Sequence, residues 1–320
     1  CVTAGIETDR VSSSWLLKTH QGVDKIIVPS EHSKSSFLSV GYEIQNNDTK
    51  EKNVLRCNSP IDVVPYPIKN IPEESLDLKL DTDFNFLSVA LLGPRKNIEN
   101  SLKWFLEEFK NEENVGLVLK TAFSKSTVID RYLTRRHLKD IVSQHKDSKC
   151  SVYLLHGNLS EGQLQNLYKN PKIKSFVSIS HGEGYGLPIF EAAYTGLPVI
   201  ATDWSAHLDF LHANHRQAKK NKNKKLFAKV NYKLSQIPKQ AVWDNILTED
   251  SQWAYPEEHS YKKQLRNVYK NHGMYSSWAK SLQKSIQQTH TPDLVHNAMF
   301  KALMPPNYQT QENKENTSKE

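Results

Sequence analysis

Between Phe84 and Thr202 the chain passes through five short apolar segments separated by stretches of helical character. The apolar segments are Phe84 to Leu91, Val115 to Thr121, Ser151 to Gly157, Ile173 to Ser180 and Pro198 to Thr202. Each has the length of a strand and ends in turn-forming or polar residues. The first helix takes Asn97 as N-cap and sets Ile98, Leu102, Phe105, Leu106 and Phe109 on one face. Further helices are expected over Ser124 to His145, about Ser160 to Tyr168, and Leu187 to Thr195. Strands that alternate with helices imply a parallel sheet with helices on both faces. Such sheets take ligands at the carboxyl ends of their strands. The loops Gly93–Lys96, Gly157–Ser160, His181–Gly186 and Asp203–His207 all follow strands, so they are expected on one rim.

Ahead of this unit, Lys25 to Ser30 reads as a strand and Glu31 to about Val40 as a helix ended by Gly41. Asn46 to Asn58 is polar and loop-like, and Ile61 to Ile68, with two prolines, suits an extended connector. A polar linker over 69–83 marks the expected domain boundary, and the second domain is expected over 84–304. Within it lie a basic insertion at 211–229, an irregular stretch from Trp243 to Pro256, and a largely helical end from Glu257 to Ala302. Residues 305–320 are polar, and disorder is expected there.

The composition narrows the classes. The net charge is +7, but Arg216, Lys219, Lys220, Lys222, Lys224 and Lys225 supply six of these charges, leaving about +1 elsewhere (7 − 6). The protein is near neutral with one basic loop. That run lacks interleaved aromatics, which argues against a surface that stacks nucleic-acid bases; an anionic surface or acceptor is the partner it could attract. No run of about 18 apolar residues occurs, the length a membrane span needs. Three widely spaced cysteines (Cys1, Cys57, Cys150) fit reduced thiols and a cytoplasmic, at most membrane-peripheral, protein. The chain begins at Cys1 and reads as a fragment lacking its front.

The chemistry concentrates in HGEGYGLPIFEAAYTGLPVIAT, His181 to Thr202. Glu183 and Glu191 stand eight residues apart (191 − 183), with Gly184, Tyr185 and Gly186 between them. Pro188 suits the first helical position. A glycine turn ahead of it lets the amides of Gly184 to Leu187 face an anion at a helix N-terminus. Glu191 is expected in the first turn of that helix. A phosphate flanked by two carboxylates suits a ligand with an anionic centre and hydroxyl-bearing groups on either side, as in a nucleotide diphosphate linked to a sugar. The bland alternative is a plain strand–turn–helix joint. A second piece is Gly93-Pro94-Arg95-Lys96, where two adjacent cations at a strand end suit two phosphate charges; in isolation the pair reads as a solvated basic turn.

With these residues in place, the chain resembles the retaining family 4 glycosyltransferases, which have the GT-B fold of two Rossmann-like domains. EGYGLPIFEAAYTGLPVIAT is similar to their E-x7-E motif, and IIVPSEHSK, VVPYPI, GPRKN and HGNLSEGQLQNLY follow in the family's order. The resemblance covers about Thr3 to Phe210 and, more loosely, the helices near Trp253 to Leu282. It implies an α/β fold with one complete donor-binding domain and, over 1–68, the end of an acceptor-side domain. Glu191 would hold the ribose hydroxyls, Glu183 the donor sugar, and the amides of Gly184, Tyr185, Gly186 and Leu187 the diphosphate. Arg95 and Lys96, beside Gly93, would neutralise the leaving diphosphate, a term of transition-state charge stabilisation that a metal supplies elsewhere. Gly157, Asn158 and Leu159 would border the nucleobase. Lys120 at a strand end could reach the diphosphate, and His207 on the rim could contact donor or acceptor. The implied activity is metal-independent transfer, with no cofactor and with the acceptor open.

Other patterns weigh less. Asp81-Thr82-Asp83 spells the metal motif D-x-D, but it precedes a strand instead of ending one. His207, His212 and His215 are offset by five and eight residues from the first, which does not converge them on a helix. GEGYG lacks the G-x-G-x-x-G spacing of a dehydrogenase. A GT-B epimerase, and a nucleotide-sugar-binding protein without turnover, remain alternatives.

Overall fold

The computed structural model describes residues 1–45, 48, 50–217 and 220–304, without the side chains of 215–217 and 220–223. The expected tail over 305–320, and Lys219 in the basic run, lie outside the described residues.

The first 68 residues carry α1 (Ser13–Thr19), β1 (Ile26–Val28), α2 (Glu31–Leu38), β2 (Tyr42–Gln45), β3 (Lys52–Leu55) and β4 (Ile61–Val63). β1 and β4 pair in parallel, Ile26 opposite Ile61. Ser30 caps α2, its hydroxyl accepting the Ser33 amide at 3.1 Å. The polar stretch read as a loop contains the strand β3, which pairs antiparallel with β2 just ahead of it. Its anchor is Leu55, buried with Leu16, Phe37 and Val40, while the rest of β3 is exposed. One apolar side chain holds a strand that no hydrophobic pattern announces.

From Phe84 onward the alternating pattern is realised. β5 (Phe84–Val89), β6 (Val115–Lys120), β7 (Ser151–Leu155), β8 (Ile173–Ser178), β9 (Val199–Thr202) and β12 (Ala228–Val230) form one parallel sheet in the order β12-β9-β8-β5-β6-β7. The helices between them are α3 (Ile98–Glu108), α4 (Val128–Ser143), α5 (Glu161–Lys169) and α6 (Leu187–Tyr194). The strands are mostly apolar because both faces are covered. Phe86 and Leu87, Leu117 and Val118, and Val177 and Phe176 are neighbours in sequence that enter opposite cores. α3 buries the whole face anticipated for it, from Ile98 to Phe109, in the core that also takes Tyr261 and Leu265. The other core takes Ile189 and Phe190 of α6 with Leu282 and Ile286.

Between β9 and β12 the basic stretch forms a hairpin of β10 (His212–Gln217) and β11 (Lys220–Lys225), where a loop was expected. The stretch read as irregular includes a strand, β14 (Gln252–Pro256), antiparallel to β13 (Tyr232–Gln236). Three helices close the described chain: α7 (Glu258–Lys270), α8 (His272–Thr289) and α9 (Pro292–Leu303). α9 returns to the N-terminal unit, where Val295 and Ala302 pack on Ile27 and Val64. Among the described residues no helix is long and apolar enough to cross a membrane.

The strand order reverses between β5 and β8, so the loops after these two strands flank the crevice where such sheets take ligands. The N-terminal segment lies across that crevice. Gly5 and Gly184 are in backbone contact, and a methyl group on Gly5 would sit 2.2 Å from the Gly184 oxygen. Gly5→Ala is therefore expected to lower urea stability by about 1–3 kcal/mol. Gly93→Ala, at an extended position with open space around it, should change little. Equal stabilities would mean that the segment does not rest on the rim.

Candidate active site

The two loops at the reversal are joined by charge. After β5 the chain makes a 3₁₀ turn, Pro94–Lys96, and enters α3 through Asn97 in the left-handed conformation (φ 54°). Asn97 is the N-cap by position, but its side chain makes no capping bond; its amide reaches the Ile179 carbonyl at 3.3 Å instead. The turn presents Arg95 and Lys96 side by side to Glu183 in the loop after β8. Lys96 Nζ lies 2.6 Å from Glu183 Oε1, and Arg95 Nη1 lies 3.1 Å from Oε2 and 2.7 Å from the Gly182 carbonyl. The His181 amide donates to the Arg95 carbonyl at 2.8 Å and locks the loops together. Burial works against the Glu183 carboxylate, yet Lys96 and Arg95 outweigh it and hold its pKa below the usual range. Arg95 has a further partner: its Nη2 lies 2.7 Å from Glu7 Oε1 in the N-terminal segment.

The glycine turn leads into α6 through Gly186, left-handed at φ 88°, with Pro188 in the first turn of the helix. Most of the turn is buried. The Glu183 amide donates to Ser205 Oγ at 2.9 Å, Gly184 lies under Gly5, and Leu187 is its exposed residue. Tyr185 directs its ring inward against Tyr66, Phe190 and Phe210, so only its backbone can meet a ligand at the rim. Glu191 stands in the second turn of α6, one turn later than expected. It is half-buried and accepts a hydrogen bond from the Tyr168 hydroxyl at 3.0 Å. Burial raises its pKa, and the Tyr168 bond opposes that rise.

Beside these loops lies a cavity of about 470 Å³. Lys120, Ser126, Gly157, Asn158 and Pro188 are among the residues that line it. Lys120 Nζ donates to the Gly157 carbonyl at 2.6 Å, and burial lowers its pKa. Leu159 packs against the core behind the Gly157 loop. Two residues that the sequence did not single out shape this cavity. Asp130, in the first turn of α4, accepts the amides of Phe123, Ser124 and Lys125 at 3.1, 2.8 and 2.9 Å. His156 Nε2 lies 2.9 Å from the same carboxylate. Together they fix the 123–126 loop that forms one wall. The signal was present in S-T-V-I-D, where Thr127 is an N-cap and Asp130 stands three residues on.

The other expected residues fall elsewhere. Gly93 is exposed on the rim. His207 is 1% exposed, with Nε2 2.7 Å from the Thr202 carbonyl, and braces the turn from within. Asp81 and Asp83 precede β5, at the opposite end of the sheet from the rim. Among the described residues no group of three or more His, Cys, Asp and Glu is arranged to hold a metal ion. In the basic hairpin, Lys225 pairs with Asp203 at 2.6 Å and Lys224 lies over the Trp278 ring. A larger groove of about 1090 Å³ runs along β7 and α4, away from the rim, and contains none of the residues proposed from the sequence.

Residues 71–245 match the family described as Glycosyl transferases group 1, which takes in more than half of the chain. The chain belongs to this family. The serotype-specific mannosyltransferase WbdA of Escherichia coli is 24% identical over 197 residues, 59% of this chain and 22% of that protein. The group 1 chain thus matches about a fifth of the curated relative's length. Among solved structures, sucrose-phosphate synthase from Thermosynechococcus elongatus superposes with a TM-score of 0.61 at 13% identity, covering 95% of this chain and 63% of that one. HepE of Anabaena, in complex with UDP and glucose, gives 0.59 at 11% identity, covering 91% and 67%. The pneumococcal O-GlcNAc transferase GtfA, in complex with UDP and GlcNAc, gives 0.55 at 15%, covering 94% and 51%. These likenesses bear out the α/β fold of GT-B type.

The Asp130 carboxyl is held far below its ordinary pKa, first by the His156 bond and then by the backbone amides. A depressed carboxyl adds stability above its unfolded pKa of about 3.9 and loses it as pH falls through the folded value. Asp130→Asn should therefore lower Tm at pH 7, and the gap to the parent should close as pH falls below about 4. A gap that stays constant with pH would show that the carboxylate's charge is not what holds the loop.

Proposed function

We propose that this group 1 glycosyltransferase moves a hexose from a nucleotide diphosphate sugar to a hydroxyl acceptor, with retention and without a metal ion. The observation that carries the reading is the Arg95–Lys96 pair, held by Glu183 against the start of α6 at the reversal of the sheet. Two fixed cations beside the N-terminus of α6 form a preorganised site for a diphosphate leaving group. Arg95 and Lys96 neutralise the charge that grows as the sugar–phosphate bond breaks, the task a metal would otherwise perform.

The remaining residues take places around that centre. Glu191, next to Tyr168, accepts the ribose hydroxyls, and the backbone from Gly184 to Leu187 faces the diphosphate. Glu183 borders the donor sugar. The nucleobase enters the cavity between Lys120, Ser126 and Gly157–Asn158. Support comes from UDP in the HepE and GtfA structures and from the transferase activity in WbdA's name. Attack comes from the face the nucleotide leaves, so neither glutamate acts as a nucleophile and the carboxylate pairs of glycoside hydrolases are no guide. His207, buried under the turn, has a structural role. The short share of WbdA that the chain spans favours a second reading, donor binding without turnover.

Calorimetric titration with UDP, GDP, ADP and CMP should find one preferred nucleotide. Glu191→Ala should weaken it by about 1–3 kcal/mol; unchanged affinity removes the ribose role. Arg95→Ala with Lys96→Ala should weaken diphosphates far more than nucleosides, whereas equal losses would indicate misfolding. Given donor and acceptor, free nucleotide should appear, and NMR of the first product should show the donor's anomeric configuration. An inverted product would refute retention, and binding without release would favour the second reading.

A further inference from the structure

Charge balance at the rim raises a question that the donor site leaves open. Arg95 and Lys96 contribute two positive charges, and Glu183 and Glu7 contribute two negative ones. The cluster is already neutral, so a diphosphate placed on it meets cations that are taken. One carboxylate must yield.

Geometry selects which. Glu183 receives both cations, one on each carboxylate oxygen, its side chain is 7% exposed, and its backbone is tied to Ser205 and Ala206. The Glu7 side chain touches the cluster through Arg95 alone, at 2.7 Å, and is 32% exposed, while its backbone carbonyl packs on Gly182. It also belongs to a different part of the chain, the segment laid across the crevice. Arg95 keeps its bonds to Gly182 and Glu183 through Nη1 while Nη2 faces Glu7. The guanidinium therefore has one edge built into the protein and one edge held by an exchangeable anion.

We propose that Glu7 is a resident counter-ion which the donor's diphosphate displaces from Arg95. This inference rests on the diphosphate reading of the site. Glu7 is a positioning residue: it holds the guanidinium aimed at the crevice in the absence of donor, competes with diphosphate for it, and is released when donor binds. Phosphate charges then replace the cation beside Glu7, and a carboxylate that loses its cation to a neighbouring anion takes up a proton.

The surroundings are consistent with such a proton. Burial already raises the Glu7 carboxyl, Arg95 only partly opposes this, and the Glu183 charge adds to it. The imidazoles nearby do not compete. Burial pushes His32 down to about 4 and lowers His181 and His207, so all three stay neutral near pH 7. Asp9 is occupied by Arg10, at 3.0 Å, and Arg10 also pairs with Asp250. In sequence Glu7 reads as one acid in a polar stretch; only the fold brings it to a residue 88 positions away (95 − 7).

The test uses the full chain, inorganic pyrophosphate as probe, and calorimetry in two buffers of different ionisation heat between about pH 5 and 7. Glu7→Gln keeps the shape and removes the competing charge, so it should bind pyrophosphate about tenfold more tightly than the parent. Proton uptake on binding should be greater in the parent than in Glu7→Gln, a difference that cancels pyrophosphate's own titration. An unchanged or weaker affinity in a variant with the parent's melting curve overturns the proposal, as does equal proton uptake. Failure of pyrophosphate to bind either protein also overturns it. Should Glu7→Gln not fold, Glu7→Ala takes its place in the same comparison: tighter pyrophosphate binding and smaller proton uptake than in the parent support the exchange, and equal values overturn it. The nucleotide reading fails separately, if UDP, GDP, ADP and CMP bind no more tightly than pyrophosphate.

Discussion

A buried carboxylate, Glu183, ties the crevice together. Removing a charge from water is costly unless partners replace the lost hydration. Here the partners come from the loop after β5, while the acid sits in the loop after β8. The adjacency of Arg95 and Lys96 follows from this: one cation reaches each oxygen of the same carboxylate. A glycine turn is needed around Glu183 because the N-terminal segment passes at backbone contact. The same constraint explains why the pair is more than a solvated basic turn: both cations are half-buried and directed into the crevice.

The turn that carries Glu183 divides its labour between interior and surface. Its rings and acid point inward, Tyr185 into an aromatic cluster and Glu183 onto the cations, while Leu187 emerges. A motif that reads in sequence as a string of ligand contacts is thus partly a piece of core. Its side chains set the shape of its backbone. Glu191, a turn further into α6, is braced by Tyr168 from a neighbouring helix, which fixes its orientation.

Much of the sheet was legible in the sequence, because strands covered on both faces appear as short, mostly apolar runs and the intervening helices show one apolar face. The placing of Glu183, Arg95 and Lys96 on loops that follow strands was legible because glycine, proline and charge cluster there, whereas the closure of both cations on Glu183 was not. What escaped was held by tertiary contact. The β2–β3 hairpin hangs on Leu55, and β14 pairs with a strand that begins some twenty residues earlier. Glu7 and His156 are ordinary residues until folding sets them beside Arg95 and Asp130. Asn97 is an N-cap by position, but its side chain bonds the Ile179 carbonyl and the Asn100 side-chain amide in place of a helix amide.

The return of the chain's end to its beginning governs the order in which the molecule can be made. Arg10 pairs with Asp250, the Gln252 amide donates to the Asp9 carboxylate, and the Ser12 hydroxyl donates to the Asn245 carbonyl, contacts separated by 233 to 243 positions. Ile27 and Val64 wait still longer, for Val295 and Ala302. Contacts of such separation are slow to close, because a long loop must be ordered first. The six-stranded sheet can assemble from neighbours as it is synthesised, but the N-terminal segment cannot settle until nearly the whole described chain exists. The N-terminal side of the crevice is therefore completed after the sheet it covers, and the docking of α9 on Ile27 and Val64 later still.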